Sequence, residues 1–264
     1  MNIKKQLLRR AYFFLTPVFI FILNIPFVFG KWNHVPVISM IPSGTEDRIT
    51  KDPLPVVPGT TNHLNSAYSV YDSIHLDGIG LSRGTFNYAI KGFNYLAKAG
   101  KLANDKIISI IDFSLPSSVK RLFVIDLDNY KVLFCTYVAH GVNSGVEYAN
   151  RFSNKPSSYK SSLGFYETQN TYQGGNGYSL KLEGLERGIN DNANRRDIVI
   201  HGAAYVDEAL VRSQGYIGRS WGCPALPEKL HRPIINTIKD GTCLFIYSPD
   251  KTYLHRSKIL NTAG

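Results

Sequence analysis

The sequence predicts a mainly β fold, a β-rich α+β domain with a few short helices and an N-terminal helical hairpin. Three observations predict it. Seven apolar runs of strand length and composition, "IISIIDF", "KRLFVIDL", "KVLFCTYVA", "LGFYET", "YSLKLE", "DIVIHG" and "TCLFIYS", fall between residues 107 and 248. Helical spacing is concentrated ahead of them. The connections are short and carry turn residues, as at Asp128-Asn129 between the second and third runs, so most strand neighbours should be antiparallel.

Residues 1–30 read as an export element. Lys4, Lys5, Arg9 and Arg10 make a basic start, and "AYFFLTPVFIFILNIPFVFG" follows. This is the pattern of a secretory signal or an uncleaved membrane anchor. The length of the run favours an anchor, whereas Pro17 and Pro26 do not. Val28 and Gly30 offer a poor cleavage site, and the absence of a following cysteine argues against a lipoprotein. Residues 31–65 are proline-rich and aperiodic, as in a partly extended linker.

Residues 66–104 form the expected helical subdomain. Phe86, Ile90, Phe93 and Ala97 share one face of its second arm, Ser82 is placed to cap the start, and Gly100 to end it. Residues 105–255 hold the strand runs and form the main domain. A polar, glycine-rich tract over residues 141–176 is long enough to include a flap. A short helix is expected over residues 206–213. Another should follow Pro227 and break near Pro233. Residues 256–264 read as a tail.

Thirty Lys and Arg face twenty Asp and Glu, a formal charge of +10. Residues 1–30 contribute four of the basic residues and no acidic one, so the remainder carries 26 − 20 = +6. A basic exported domain suits the anionic cell envelope or a carboxylate-rich substrate. No nucleic-acid module is legible, and "GIGLSRG" opens a helix without the strand that a nucleotide fingerprint needs.

The chain has three cysteines, an odd number that makes no disulfide framework. Cys135 and Cys243 lie in strand runs and are expected to be buried. Cys223 sits in "GRSWGCPALP", between a glycine and a proline, where backbone N–H groups are open to a ligand. A cysteine nucleophile needs a base and donors for an oxyanion. The N–H groups of Gly222 and Cys223 are the candidate donors. A nearby imidazole would lower the thiol pKa.

Of seven histidines, His140 and His201 each end an apolar strand and precede glycine, the position from which a scaffold delivers a side chain. His201 is nearer to Cys223 in sequence, which favours it, and His140 stays in consideration. The remaining five, His75 in the first helix and His231 in a late one among them, read as surface or packing residues.

The segment "IVIHGAAYVDEALVRSQGYIGRSWGCPALP" resembles the catalytic segment of murein L,D-transpeptidases, and most closely the divergent branch named for the L,D-transpeptidase catalytic domain. His201, Ser220, Gly222 and Cys223 match the wider family's pattern. Trp221 stands in place of its second histidine, Ala225 in place of its usual Asn or Arg, and the spacer is slightly longer. The likeness extends upstream through "YDSIHLDGIGLSRGTFNYAIKGFNYL", "RLFVIDLDNYKVLFCTYVAHGVNSG" and "NDNANRRDIVIHGAAYV".

This resemblance implies an L,D-transpeptidase-like antiparallel β-sandwich. It implies Cys223 as nucleophile, His201 as general base and then acid, the Gly202 carbonyl as its orienter, and Ser220 as a support of the turn. Arg219, Arg195, Arg196, Trp221, Tyr205 and His140 are the candidates for contacting a peptidoglycan stem peptide. No cofactor is implied. A zinc site from His140, His201 and Cys223 is disfavoured because no short-spaced ligand pair exists. The rival activities are hydrolysis of the same bond, as an L,D-carboxypeptidase or endopeptidase, and a non-catalytic wall-binding module. The expected location is the periplasm or cell envelope, with possible membrane contact at the N-terminus.

Residues 1–30 fused to a reporter should carry it across the cytoplasmic membrane, read by a reporter active only outside the cytoplasm. Retention in the cytoplasm would remove the basis for an envelope location.

Overall fold

The computed structural model describes residues 70–262. The expected export element, the linker and the start of the helical hairpin lie outside the described residues. Among those described, no helix is long and apolar enough to cross a membrane.

All seven predicted runs are strands: β1 (Ile107–Asp112), β2 (Leu122–Asp126), β3 (Lys131–Thr136), β4 (Gly164–Gly174), β5 (Gly177–Gly184), β6 (Val199–Ala203) and β8 (Cys243–Tyr247). One strand was not foreseen, the three-residue β7 (Ala225–Pro227). It is too short to carry a periodic signal and ends in proline, so only its tertiary pairing makes it a strand. The eight form one sheet in the order β3-β2-β1-β8-β4-β5-β6-β7. Neighbours are antiparallel except at β1–β8 and β6–β7.

The sheet curls back on itself. The chain leaves edge strand β3 at Thr136, and Ala139 already bridges Ala225 in β7, the opposite edge. Three residues span at most ~11 Å. In a flat eight-stranded sheet the two edges would stand roughly 34 Å apart. The two ends of the strand order must therefore come together, and they do so beside Cys223.

Helix α1 (Arg83–Lys98) runs as its sequence predicts. The Ser82 side chain accepts the Thr85 N–H. At the other end the Gly100 N–H bonds Ala97 O and the Lys101 N–H bonds Leu96 O, with Gly100 at φ +64°, the paired bonds of a Schellman cap. Its apolar face, Phe86, Ala89, Ile90, Phe93 and Leu96, joins the same core as the sheet. Of the preceding arm, residues 70–73 are helical and turns follow to Gly80. His75 lies in those turns at φ +49°, not in a helix. Gly92 packs directly on the Phe165 ring, which stacks on Phe245 with centroids 4.2 Å apart.

Four further expectations are corrected. The helix α2 (Glu208–Gln214) is shifted slightly from the predicted span, its start set by Asp207, whose side chain accepts the Ala209 N–H. Helix α3 (Glu228–Ile238) runs unbroken through Pro233. The proline sits on the exposed face, while Ile234, Ile235 and Ile238 bury the other, so the lost hydrogen bond falls on the solvent-facing side. The C-terminal tail is two short helices, α4 (Lys251–Arg256) and α5 (Lys258–Thr262). They bury Tyr253, Ser257, Ile259 and Leu260. Ser257 and Tyr253 donate to the buried Glu186 carboxyl, which also accepts the Phe165 N–H. Burial holds that carboxyl above its ordinary pKa despite these bonds. Cys243 is fully buried as expected, but Cys135, on edge strand β3, is only half-buried.

Gly92→Ala tests the seating of α1. Alanine is the better helix former by up to ~1 kcal/mol, but its methyl would collide with Phe165, whose ring is held by Phe245. A net loss of about 1–3 kcal/mol is expected in chemical denaturation. A stabilised variant would show that the helix does not sit on β4 in this way.

Candidate active site

Strand β6 delivers His201, and the parallel β6–β7 register sets His201 opposite Ala225, two residues beyond Cys223. The turn that carries Cys223 is organised by Ser220. Its hydroxyl donates to Cys223 O at 2.6 Å and accepts the Gly222 N–H at 3.1 Å, and its own N–H donates to His140 O at 2.9 Å. Gly222 has φ +125°, and a Cβ there would lie 2.8 Å from Lys160 O, so no other residue fits. Gly141 is equally enclosed, by Tyr159 O, Ser161 N and Gly222 Cα. Ser161 closes the junction: its hydroxyl accepts the Gly141 N–H and donates to Gly222 O.

One expected donor is thereby corrected. The Gly222 N–H is engaged by Ser220 and is not open to an oxyanion. The Cys223 N–H has no intramolecular partner among the described residues.

His201 is almost fully buried. Its Nδ1 lies 2.9 Å from Gly202 O. A carbonyl only accepts, so Nδ1 carries the proton, and Nε2 of the neutral ring is left with a lone pair and no partner among the described residues. Burial lowers the His201 pKa, and the nearby His231 lowers it further against the effect of the Gly202 bond. The His231 ring packs over Gly202, where a Cβ would lie 2.6 Å from its Nδ1, and that Nδ1 bonds Glu228 O. Its place beside His201 was not legible in the sequence, because α3 returns it to the site from 30 residues away.

The expected lowering of the Cys223 pKa is also corrected. Burial raises it, and the Asp197 carboxylate adds to the rise. The Val199 N–H and the Arg196 guanidinium pull the other way without reversing it. The thiol donates to Asp197 O at 3.4 Å. With a thiol raised and an imidazole lowered, the pair rests neutral rather than as thiolate and imidazolium.

Both residues line one cleft of about 560 Å³, together with Tyr205, Arg219, Trp221, Arg196, Asp197 and Tyr159. Arg219 keeps most of its donors, with one bond to Gly145 O. Trp221 is 77 % exposed and leans on Tyr159 at 5.6 Å between centroids. The Tyr205 hydroxyl is pushed up to about 12, chiefly by burial. Arg196 borders the cleft, but its guanidinium holds the loop over residues 153–162, donating to Ser153 O, Ser162 Oγ, Ser158 Oγ and Lys160 O. Arg195 is exposed and outside the lining.

His140 does not reach the cleft. It is fully buried, with Nδ1 2.7 Å from Arg121 Nη2 and Nε2 3.3 Å from Gly145 O. Arg121 is itself fully buried, donating to Val138 O and Leu115 O, with its guanidinium 4.9 Å over the Phe113 ring. Burial and this cation pull His140 down to about 3, so it is a neutral strut and neither base nor substrate contact. Among the described residues, no three His, Cys, Asp or Glu converge as metal ligands.

A family model described as the L,D-transpeptidase catalytic domain matches residues 79–247. No curated protein matches. Solved structures that resemble the chain include an L,D-transpeptidase from Mycobacterium smegmatis, 13% identical, covering 54% of this chain and 59% of that one, with a TM-score of 0.33. An L,D-transpeptidase from Stackebrandtia nassauensis is 14% identical, covers 64% and 72%, and scores 0.33. The helical cell shape determining protein of Campylobacter jejuni is 15% identical, covers 60% and 51%, and scores 0.37. The chain spans about three fifths of the length of the first. Scores this low carry no weight beside the family match.

A neutral resting pair predicts the pH dependence of alkylation. The rate at Cys223 should climb past the ordinary thiol value of roughly 8.5, with no plateau at neutral pH. The readout is iodoacetamide labelling resolved by peptide mass, in which Cys243 should stay unlabelled while the protein is folded. A fast plateau below pH 7 would establish an ion pair and overturn the neutral assignment.

Proposed function

The chain belongs to the L,D-transpeptidase catalytic domain family, and from that membership and the geometry of the cleft we propose that it is a cysteine-dependent peptidoglycan L,D-transpeptidase. The observation that carries this reading is the His201 Nδ1 bond to Gly202 O. It leaves Nε2 as the free basic nitrogen in a cleft that Cys223 also lines.

In the proposed cycle the stem peptide displaces the thiol from Asp197 O. Sγ attacks the carbonyl of the L,D bond between a diamino acid and terminal D-alanine as Nε2 takes the thiol proton. The substrate itself triggers ionisation, since neither group is charged at rest. The oxyanion faces the Cys223 N–H. Collapse breaks the C–N bond, His201 returns its proton to the departing D-alanine amine, and a thioester remains. An amine of a second stem resolves the thioester, forming an amide and restoring the thiol. Arg219 holds a stem carboxylate with the donors it has free. Trp221 and Tyr205 flank the peptide. The reading includes export to the cell envelope, where such stems lie, and rests there on the basic, then apolar start of the chain.

Intact-protein mass after a short pulse of the full chain with purified tetrapeptide muropeptide tests it. A thioester adduct is expected on the wild type and none on Cys223→Ala. In His201→Ala at matched folded concentration, adduct formation should slow by about 10²–10⁴-fold, the usual contribution of a general base. An adduct on Cys223→Ala, or an unimpaired His201→Ala, would contradict the assignment.

A further inference from the structure

The catalytic cleft is polar in a directed way. Its cations are Arg196 and Arg219. Among its described lining residues Asp197 is the one carboxylate, and it also lines a second cavity of about 250 Å³ with Ile198, Tyr172, Lys181 and Val199. The Asp197 backbone is held at both ends. Its N–H donates to Asn194 O and its carbonyl accepts the Cys223 thiol. It closes the 3₁₀ turn Asn194–Arg196 in a left-handed conformation, φ +54° and ψ +36°, uncommon for a residue with a Cβ. Its side chain is exposed and makes no hydrogen bond or ion pair among the described residues. Lys181, the cation of the second cavity, lies 5.5 Å over the Tyr172 ring and does not pair with it.

A fixed backbone thus presents an exposed carboxylate that lines both cavities, on the residue whose carbonyl holds the reacting sulfur. We propose that Asp197 is the docking point for the acceptor, a primary ammonium entering from the second cavity, lined by Tyr172, Lys181 and Val199, while the donor stem lies on the Arg219 side. This rests on the transpeptidase reading above. The ammonium loses one proton to reach its nucleophilic form, and His201 Nε2, neutral once D-alanine has left, is the base within the cleft. The amine lone pair then forms the C–N bond, the C–S bond breaks, and sulfur leaves with the electron pair. Thioester plus ammonium gives amide, thiol and one proton released to solvent. Asp197 binds and orients the acceptor. Its backbone carbonyl releases the thiol before attack, and the side chain is not required to form the thioester.

The test preloads the full chain with tetrapeptide donor and chases the thioester with increasing concentrations of a tripeptide carrying a free side-chain amine. The ratio of amide to hydrolysed product is read by mass. Asp197→Asn and Asp197→Gly both tolerate the left-handed backbone, so either can keep the fold. Per thioester formed, the ratio should fall about tenfold, through a higher half-saturating amine concentration, as expected for one lost charge-assisted contact. An unchanged ratio in both variants would overturn the proposal. So would a wild type that only hydrolyses, or variants that form no thioester where the wild type does, which would assign Asp197 to the first half of the cycle. If the wild type forms no thioester, the transpeptidase reading falls first and takes the acceptor site with it.

Discussion

The site depends on one place where three backbone segments meet with only the Ser161 hydroxyl between them. Gly141, Tyr159 to Ser161, and Gly222 approach within contact distance, held by the Ser161 hydroxyl between Gly141 N–H and Gly222 O. The same contact brings the edges of the curled sheet together, through the Ala139–Ala225 bridge. It also sets the turn from which Cys223 projects. Closing the sheet and shaping the nucleophile's turn are thus a single event. A methyl group at either glycine would separate the segments and undo both.

Behind this junction stands a cation with no solvent. Arg121 lies at the entry to β2, and every hydrogen bond its guanidinium makes is to a carbonyl or to the His140 ring. An unpaired guanidinium would be costly to bury, so these acceptors are required, and they pin the backbone at Leu115, Val138 and His140. His140 passes the constraint outward. Its Nε2 bonds Gly145 O, which Arg219 also bonds from the cleft side. The buried strut and the proposed substrate contact therefore share one carbonyl.

Much of this was legible in the residues. The strand runs came from local periodicity, and α1 from Ser82, Gly100 and the spacing of its apolar face. Both are signals that neighbouring residues carry themselves. Cys223 stood out because a turn gave it no packing role, and His201 because it ended a strand. What was not legible depends on long-range contacts. Arg121 reads as an ordinary surface cation in "KRLFVIDL" until the fold surrounds it. Nothing in "TYVAHG" separates His140 from the "DIVIHG" histidine except Arg121 itself. The Gly222 N–H looks open in the sequence and is closed by a serine two residues away. The thiol pKa is governed by burial and not by the nearby imidazole, and burial of a turn residue depends on the whole fold.

The central claim is that His201 rests neutral, with its proton on Nδ1, beside a neutral Cys223 thiol. The most direct measurement is the ¹⁵N chemical shifts of the His201 ring in histidine-labelled protein across the acidic and neutral range. The structure predicts a protonated Nδ1 and a bare Nε2 at pH 7, with conversion to imidazolium only below the ordinary histidine value of about 6.5. Two protonated ring nitrogens at pH 7, lost together on alkylation of Cys223, would show a thiolate–imidazolium pair and contradict the account.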